Sequence, residues 1–71
     1  MTVARLFPPE PGRLDWEVVF LESARYYRVG GDPELMARSV EELKRAVAAG
    51  ERVTVRLASI AADLVEEVWP A

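Results

Sequence analysis

The stretch from Asp32 to Gly50 constrains the fold most, because it carries the signals of one complete helix. Its apolar residues recur at steps of four, three and four, which places them on a single helical face. Asp32 suits the N-cap, Pro33 the first helical position, and Gly50 the residue just past the end. The pattern predicts a helix over Pro33–Ala49. The side chains that it should pack on a sheet are Met36, Val40, Leu43 and Val47.

A second interpretation starts this helix at Ser39. The serine and Glu42, three residues on, form a capping box, which would leave the segment Glu34–Arg38 as a turn or a short strand. Both interpretations end the helix near Ala49. Acidic residues four positions before basic ones also favour a helix, and these pairs are Glu34 with Arg38 and Glu41 with Arg45.

Three other segments have the composition of strands. Trp16–Leu21 is rich in aromatic and β-branched residues and is apolar on both faces, as in an inner strand or one covered by a partner. Arg25–Val29 is the second segment, and residues 22–24 would form a hairpin turn between the two. Arg52–Leu57 alternates polar and apolar residues and is the clearest strand pattern in the chain. A helix over Trp16–Val29 is the alternative for the first two segments.

The two ends of the chain are less regular. Residues 1–13 form an extended, proline-rich segment in which Thr2–Phe7 is expected to add an edge strand. In the C-terminal segment Ile60–Trp69, apolar residues recur every four positions. This spacing predicts a short helix that Ser59 caps and Pro70 ends, with a further strand as the alternative.

Together these segments predict one small domain of the α+β class over residues 1–71. We expect a two-layer sandwich in which one main helix covers a three- to four-stranded, mainly antiparallel sheet. The C-terminal segment would add a short second helix.

The composition limits what holds such a domain together. A chain of 71 residues buries only about 60% of its unfolded surface, and this one has no cysteine for a disulfide. Without cysteine and histidine the usual ligands of zinc, haem and iron–sulfur clusters are missing, so we expect no cofactor and no metal. The eight arginines against one lysine, with no asparagine or glutamine, fit a heat-adapted protein or a GC-rich genome equally.

Charge and hydropathy favour a cytoplasmic protein. The net charge of −3 argues against non-specific binding to nucleic acid. The first residues contain no long apolar run of the kind found in a signal peptide. No segment reaches the roughly 18 apolar residues of a membrane span, so we expect no membrane association.

The sequence contains no recognisable catalytic pattern. Gly30–Gly31 favours a turn over a phosphate-binding loop, because it lacks spaced glycines and Asp32 would repel a phosphate. The carboxylate pairs Glu41–Glu42 and Glu66–Glu67 fall on predicted polar helix faces, where a general acid or base has no sheltered pocket. We therefore expect that the protein is not an enzyme.

Two functional interpretations remain. The leading one is a non-enzymatic interaction or regulatory module that acts as a homodimer, because the two-sided apolar segments exceed what one helix can cover. Its candidate interface residues are Trp16, Val18, Phe20, Leu64, Val68 and Trp69. The alternative is a nucleic-acid-binding module in which arginines interleave with a tyrosine on neighbouring strands. Its candidate residues are Arg25, Tyr27, Arg52 and Arg56.

Overall fold

A computed structural model describes residues 1–12, 15–23, 25–59 and 62–71, and these residues form an α+β fold, as predicted. The elements in chain order are β1 (Val3–Phe7), β2 (Glu17–Phe20), β3 (Tyr26–Val29), α1 (Pro33–Ala49), β4 (Val53–Leu57) and β5 (Leu64–Pro70). The four strands predicted before residue 60 are confirmed to within one residue at each end. Residue 24 of the predicted hairpin turn lies outside the described residues.

The sheet differs from the prediction in size and in direction. The described residues form five strands in the order β1-β2-β3-β5-β4, where three to four were expected. β3 and β5 pair in parallel, whereas the other neighbours pair antiparallel, so the sheet is mixed. The parallel pair arises because β5 inserts between β3 and β4, after a crossover connection that includes α1.

The two edge strands of the sheet meet at one end. Thr2 and Arg52 form an antiparallel bridge, and the Val53 amide donates a hydrogen bond to the Met1 carbonyl at 2.8 Å. The sheet therefore curls until the start of β1 lies beside β4. Such closure shields edge strands from pairing with other chains.

The helix begins and ends where its caps predict. The Asp32 carboxylate accepts a hydrogen bond from the Leu35 amide at 2.8 Å, and Gly50 ends the helix in the left-handed conformation at φ 68°. The alternative start at Ser39 is wrong, because this residue lies within the helix and is 1% exposed.

One of the four predicted helix contacts is also wrong. Val40 and Leu43 are buried and Met36 packs against the core, but Val47 is 41% exposed. The small Ala46 side chain takes the core position in the last turn, at 0% exposure. The last turn therefore approaches the sheet through Ala46, which leaves Val47 towards solvent.

The core lies between the inner side of the curled sheet and α1, which packs mainly on β5 and β1. The buried apolar residues are Val3, Val18, Phe20, Tyr27, Val29, Val40, Leu43, Ala46, Val53, Val65 and Val68. Among the described residues, no helix has the length and apolar character needed to cross a membrane.

The predicted C-terminal helix is a strand. Pairing between β4 and β5 jumps from Arg56–Glu67 to Leu57–Val65, so Glu66 is an extra residue in a β-bulge. Val65 and Val68 consequently both face the core although they are three residues apart. A regular strand does not place residues three apart on one side, so this step of three favours a helix when the sequence is considered alone. Residues 60 and 61 of the predicted helix lie outside the described residues.

Candidate functional site

Half of the residues predicted to form a dimer interface lie in the core of the chain. Val18, Phe20 and Val68 are 0%, 1% and 6% exposed. Trp69 is 40% exposed and faces outward beside Thr54 on β4. In this fold a partner can reach Trp69, whereas the first three side chains already pack within the chain.

The other two predicted interface residues are half-buried against neighbours. The Lys44 ammonium lies 5.1 Å from the centre of the Trp16 ring, a cation–π contact between α1 and the start of β2. Leu64 lies over Gly30, where an added Cβ would stand 2.7 Å from the Leu64 Cδ1 atom. Glycine at position 30 therefore allows Leu64 to pack closely on β3.

The residues predicted to bind nucleic acid are not brought together. Arg25 and Tyr27 belong to β3 and the residue before it, while Arg52 and Arg56 belong to β4 and the residue before it. β5 lies between these two strands. The Tyr27 ring is 2% exposed, so it offers no face on which a base could stack.

The Tyr27 hydroxyl instead belongs to a polar cluster beside the start of β3. Its hydroxyl lies 3.0 Å from the Ser23 hydroxyl and accepts a hydrogen bond from the Arg25 guanidinium at 3.1 Å. Arg25 also pairs with Asp63 at 3.1 Å. The hydrogen bond with Ser23 lowers the pKa of Tyr27 against the opposing effect of burial, and the bond to Tyr27 raises the pKa of Arg25. The cluster therefore ties the turn before β3 to the start of β5.

The bulge in β5 gives Arg56 two carboxylate partners. Adjacent residues of a regular strand face opposite sides, but at a bulge two of them can serve one side. The Arg56 guanidinium lies 3.5 Å from Glu66 and 3.1 Å from Glu67. Its charge is therefore neutralised on the sheet surface.

Carboxylates on α1 are paired in the same way. Arg45 donates hydrogen bonds to Glu42 on the same helix and to Glu51 beyond its end, and Lys44 pairs with Glu41 at 3.5 Å. The contact partner of Arg45 is thus Glu42 instead of the predicted Glu41. These bonds raise the pKa of Arg45, and Arg45 lowers the pKa of Glu42. An open depression along this side of α1 is lined by Ala37, Arg38, Glu41, Glu42 and Arg45.

A surface that the sequence analysis did not single out lies on the outer side of β1, β2 and β3. A bulge at Ala4 turns Arg5 and Phe7 outward, where β1 pairs with β2. The cross-strand pairs form two rows of outward residues. One row holds Arg5, Val19 and Tyr26, and the other holds Phe7, Glu17 and Arg28.

Aromatic rings and arginines dominate this surface. The Phe7 and Tyr26 rings contact each other across β2, with centroids 5.9 Å apart and planes tilted by 46°. Tyr26 is 61% exposed, and the Arg5 guanidinium lies 5.6 Å from the centre of the Phe7 ring. We call this surface the aromatic face and define it by Arg5, Phe7, Val19, Tyr26 and Arg28.

The charge pattern of the aromatic face is mixed. Arg28 lies 3.9 Å from Asp15, and both side chains are more than half exposed, so this pair is weak. Glu17 stands between Phe7 and Arg28 in its row. The two arginines therefore mark opposite corners of the face, with one carboxylate between them.

Strand register explains why Tyr26, and not the predicted Tyr27, lies on the outer surface of β3. Tyr27 is two residues from the buried Val29, so it shares the inner side of β3, and Tyr26 takes the outer side with Arg28. The alternation of Tyr27 with Val29 in the sequence already indicated that Tyr27 faces inward. No signal in the sequence placed Phe7 beside Tyr26, because that contact depends on the bulge in β1.

No protein-family model, curated protein or solved structure matches this chain. Within the described residues, no group of three or more acidic side chains is arranged to hold a metal ion.

Proposed function

We propose that this chain is a small non-enzymatic interaction module that binds its partner through the aromatic face. The observation that carries the proposal is the contact between Phe7 and Tyr26 on the outer side of three paired strands, with Tyr26 61% exposed. Exposed aromatic side chains beside arginine are enriched at binding surfaces, where they anchor a partner. Their place on paired strands keeps the anchors in fixed positions before a partner arrives.

The pairing of charged groups elsewhere favours binding over catalysis. A general acid or base works in a sheltered pocket with a pKa shifted towards neutrality. The carboxylates of Glu42 and Glu67 instead pair with arginines, and Arg45 lowers the pKa of Glu42 further from neutrality. The buried Tyr27 hydroxyl is engaged by Ser23 and Arg25.

The homodimer that we propose differs from the one predicted from the sequence in the residues that form its interface. Val18, Phe20 and Val68 pack in the core of one chain, so they do not motivate a partner. Trp69 remains exposed, and it lies on the outer side of β5. We therefore propose an association of folded subunits that is built around Trp69.

Photo-crosslinking tests whether the aromatic face is the binding surface. A photoreactive phenylalanine analogue replaces Tyr26 in one variant and Val47, exposed on α1, in the control variant. We expect crosslinked adducts in native cells from position 26 and few or none from position 47. Equal yields from both positions, or no adduct from position 26, would refute the proposal.

A further inference from the structure

We infer that the aromatic face binds single-stranded nucleic acid, with two neighbouring bases stacked on Phe7 and Tyr26 and the backbone held by Arg5 and Arg28. The inference rests on the proposed function and names the class of its ligand. It replaces the earlier set of candidate residues, because the structure buries Tyr27 and pairs Arg56 with two carboxylates.

The four side chains alternate around the corners of the face. β1 carries Arg5 and then Phe7, and β3 carries Tyr26 and then Arg28, with β2 between the two strands. The two rings lie on one diagonal and meet over β2, at 5.9 Å between centroids. The two arginines lie on the other diagonal, about 12 Å apart at the backbone from the usual spacing of strands and residues.

This arrangement suits the chemistry of a single strand. The exposed Tyr26 ring and the half-buried Phe7 ring each offer a surface on which any base can stack, and guanidinium groups beside the rings can reach phosphates on either side. Bases of a duplex are already stacked and paired, so rings on a sheet surface cannot engage them in this way. The geometry therefore favours unpaired nucleotides over a double helix.

A second copy of the chain fits the same face less well. The centre of a protein interface is depleted of acidic residues, yet this face carries Glu17 between Phe7 and Arg28. Packing a protein over the face would take the charges of Glu17 and of the two arginines out of water. The two rows of three residues also make a small patch beside the roughly 800 Å² that each partner of a standard interface buries.

The acidic residues near the face set limits on the binding. Asp15 lies 3.9 Å from Arg28 in an exposed pair, which a phosphate can replace at little cost. The backbone should follow the edges of the face, where the arginines lie. With a net charge of −3, the protein should bind weakly, and its affinity should fall as the salt concentration rises.

Fluorescence anisotropy tests the inference with three labelled probes of the same mixed sequence: single-stranded DNA, single-stranded RNA and duplex DNA. The probes are about 12 nucleotides long, within the site sizes of small single-strand-binding domains. We expect micromolar binding of at least one single-stranded probe at low salt and weaker binding of the duplex. The slope of log affinity against log salt should be near −1.4 for two phosphate contacts, at about 0.7 for each.

Matched variants locate the site. Tyr26→Ser should weaken binding about fivefold or more, and Tyr26→Phe should retain it, because the ring and not the hydroxyl stacks on a base. Val47→Ser removes an exposed apolar side chain on α1 and should leave the affinity unchanged. Arg5→Ser should reduce the salt slope by about 0.7, whereas Arg38→Ser on α1 should not change it.

Four results would overturn the inference: no binding at low salt, equal binding of duplex, equal losses from Tyr26→Ser and Val47→Ser, or loss of binding in Tyr26→Phe. The proposed function fails separately, through the crosslinking experiment. Adducts from position 26 that protease removes and nuclease leaves intact would support the proposed function and refute nucleic acid as the ligand. Adducts that nuclease removes would support both.

Discussion

Ser39 is a polar residue at a core position of α1. It is 1% exposed, and its hydroxyl has no hydrogen-bond partner among the described residues. Because a buried unpaired hydroxyl costs free energy and alanine is the better helix former, Ser39→Ala should raise the free energy of unfolding by about 1 kcal/mol. Urea unfolding measures the change. Ser59→Ala, at an exposed position, is the control, and destabilisation by Ser39→Ala would show that the hydroxyl serves the fold.

Leu43 and Val47 test the corrected face of the helix. Leu43 is 0% exposed, so Leu43→Ala should cost about 2–5 kcal/mol of unfolding free energy, as for other buried leucines. Val47 is 41% exposed, and Val47→Ala should change stability by less than about 0.5 kcal/mol. Thermal melts of both variants measure the difference in stability. Similar midpoints for the two would contradict the packing of α1.

Glu22 contributes stability that depends on pH. Its carboxylate accepts a hydrogen bond from the Thr2 amide at 2.8 Å, and this bond lowers the pKa of Glu22 in the folded chain. The contribution is therefore complete above the ordinary value of 4.5 and is lost as the pH falls through the lowered pKa. We expect Glu22→Gln to lose part of the acid sensitivity of the urea midpoint. Glu10→Gln, in an exposed loop, is the control, and an identical pH profile for both variants would contradict the prediction.

At the scale of elements, the bulge in β5 explains how a strand acquired a helix-like sequence. Glu66 is the extra residue, and without it Val65, Glu67 and Val68 would alternate regularly opposite β4. We therefore expect a chain with Glu66 deleted to keep a cooperative thermal transition, because Val68 still faces the core. Circular dichroism during heating measures this.

Deletion of Thr54 is the matched control for the deletion of Glu66. Thr54 lies in a regular part of β4, opposite Trp69, where every residue has a partner. Its loss shifts the strand by one residue relative to its neighbour, so Val53 and Val55 can no longer both face inward. We expect this deletion to abolish the cooperative transition. If the Glu66 deletion is the more damaging of the two, the extra residue has a structural role that the pairing does not show.

At the scale of the whole molecule, the chain encloses its own core. Its accessible surface is 4636 Å², close to the about 4400 Å² expected for a folded monomer of 7.9 kDa. A dimer built around Trp69 is then an association of folded subunits. Light scattering at micromolar concentration should give a dimeric mass for the wild type and a monomeric mass for folded Trp69→Ala.

The unfolding midpoint separates this dimer from an obligate one. Subunits that fold alone should unfold at a midpoint that depends little on protein concentration, whereas an obligate dimer becomes more stable as concentration rises. A monomeric mass for the wild type at every concentration would remove the homodimer from the proposed function.

The sequence by itself determined the α+β class, the helix with both of its caps and the position of four strands. These features depend on signals within a few residues: the Asp32 cap, the terminal Gly50 and the alternation in Arg52–Leu57. Such signals are local, so they can be interpreted without knowing the rest of the fold.

Tertiary structure alone decided the parallel pairing of β5, the closure of the sheet and the aromatic face. Each depends on contacts between residues far apart in sequence, such as Phe7 with Tyr26 and Arg28 with Leu64. Each of the two bulges shifts the following side chains by one position. In β5 this shift gives the sequence a helix-like spacing, whereas in β1 it leaves no pattern that the sequence shows. Because a shift of one residue reverses the side on which every later side chain lies, the bulge in β1 determined that Phe7 reached the outer side beside Tyr26.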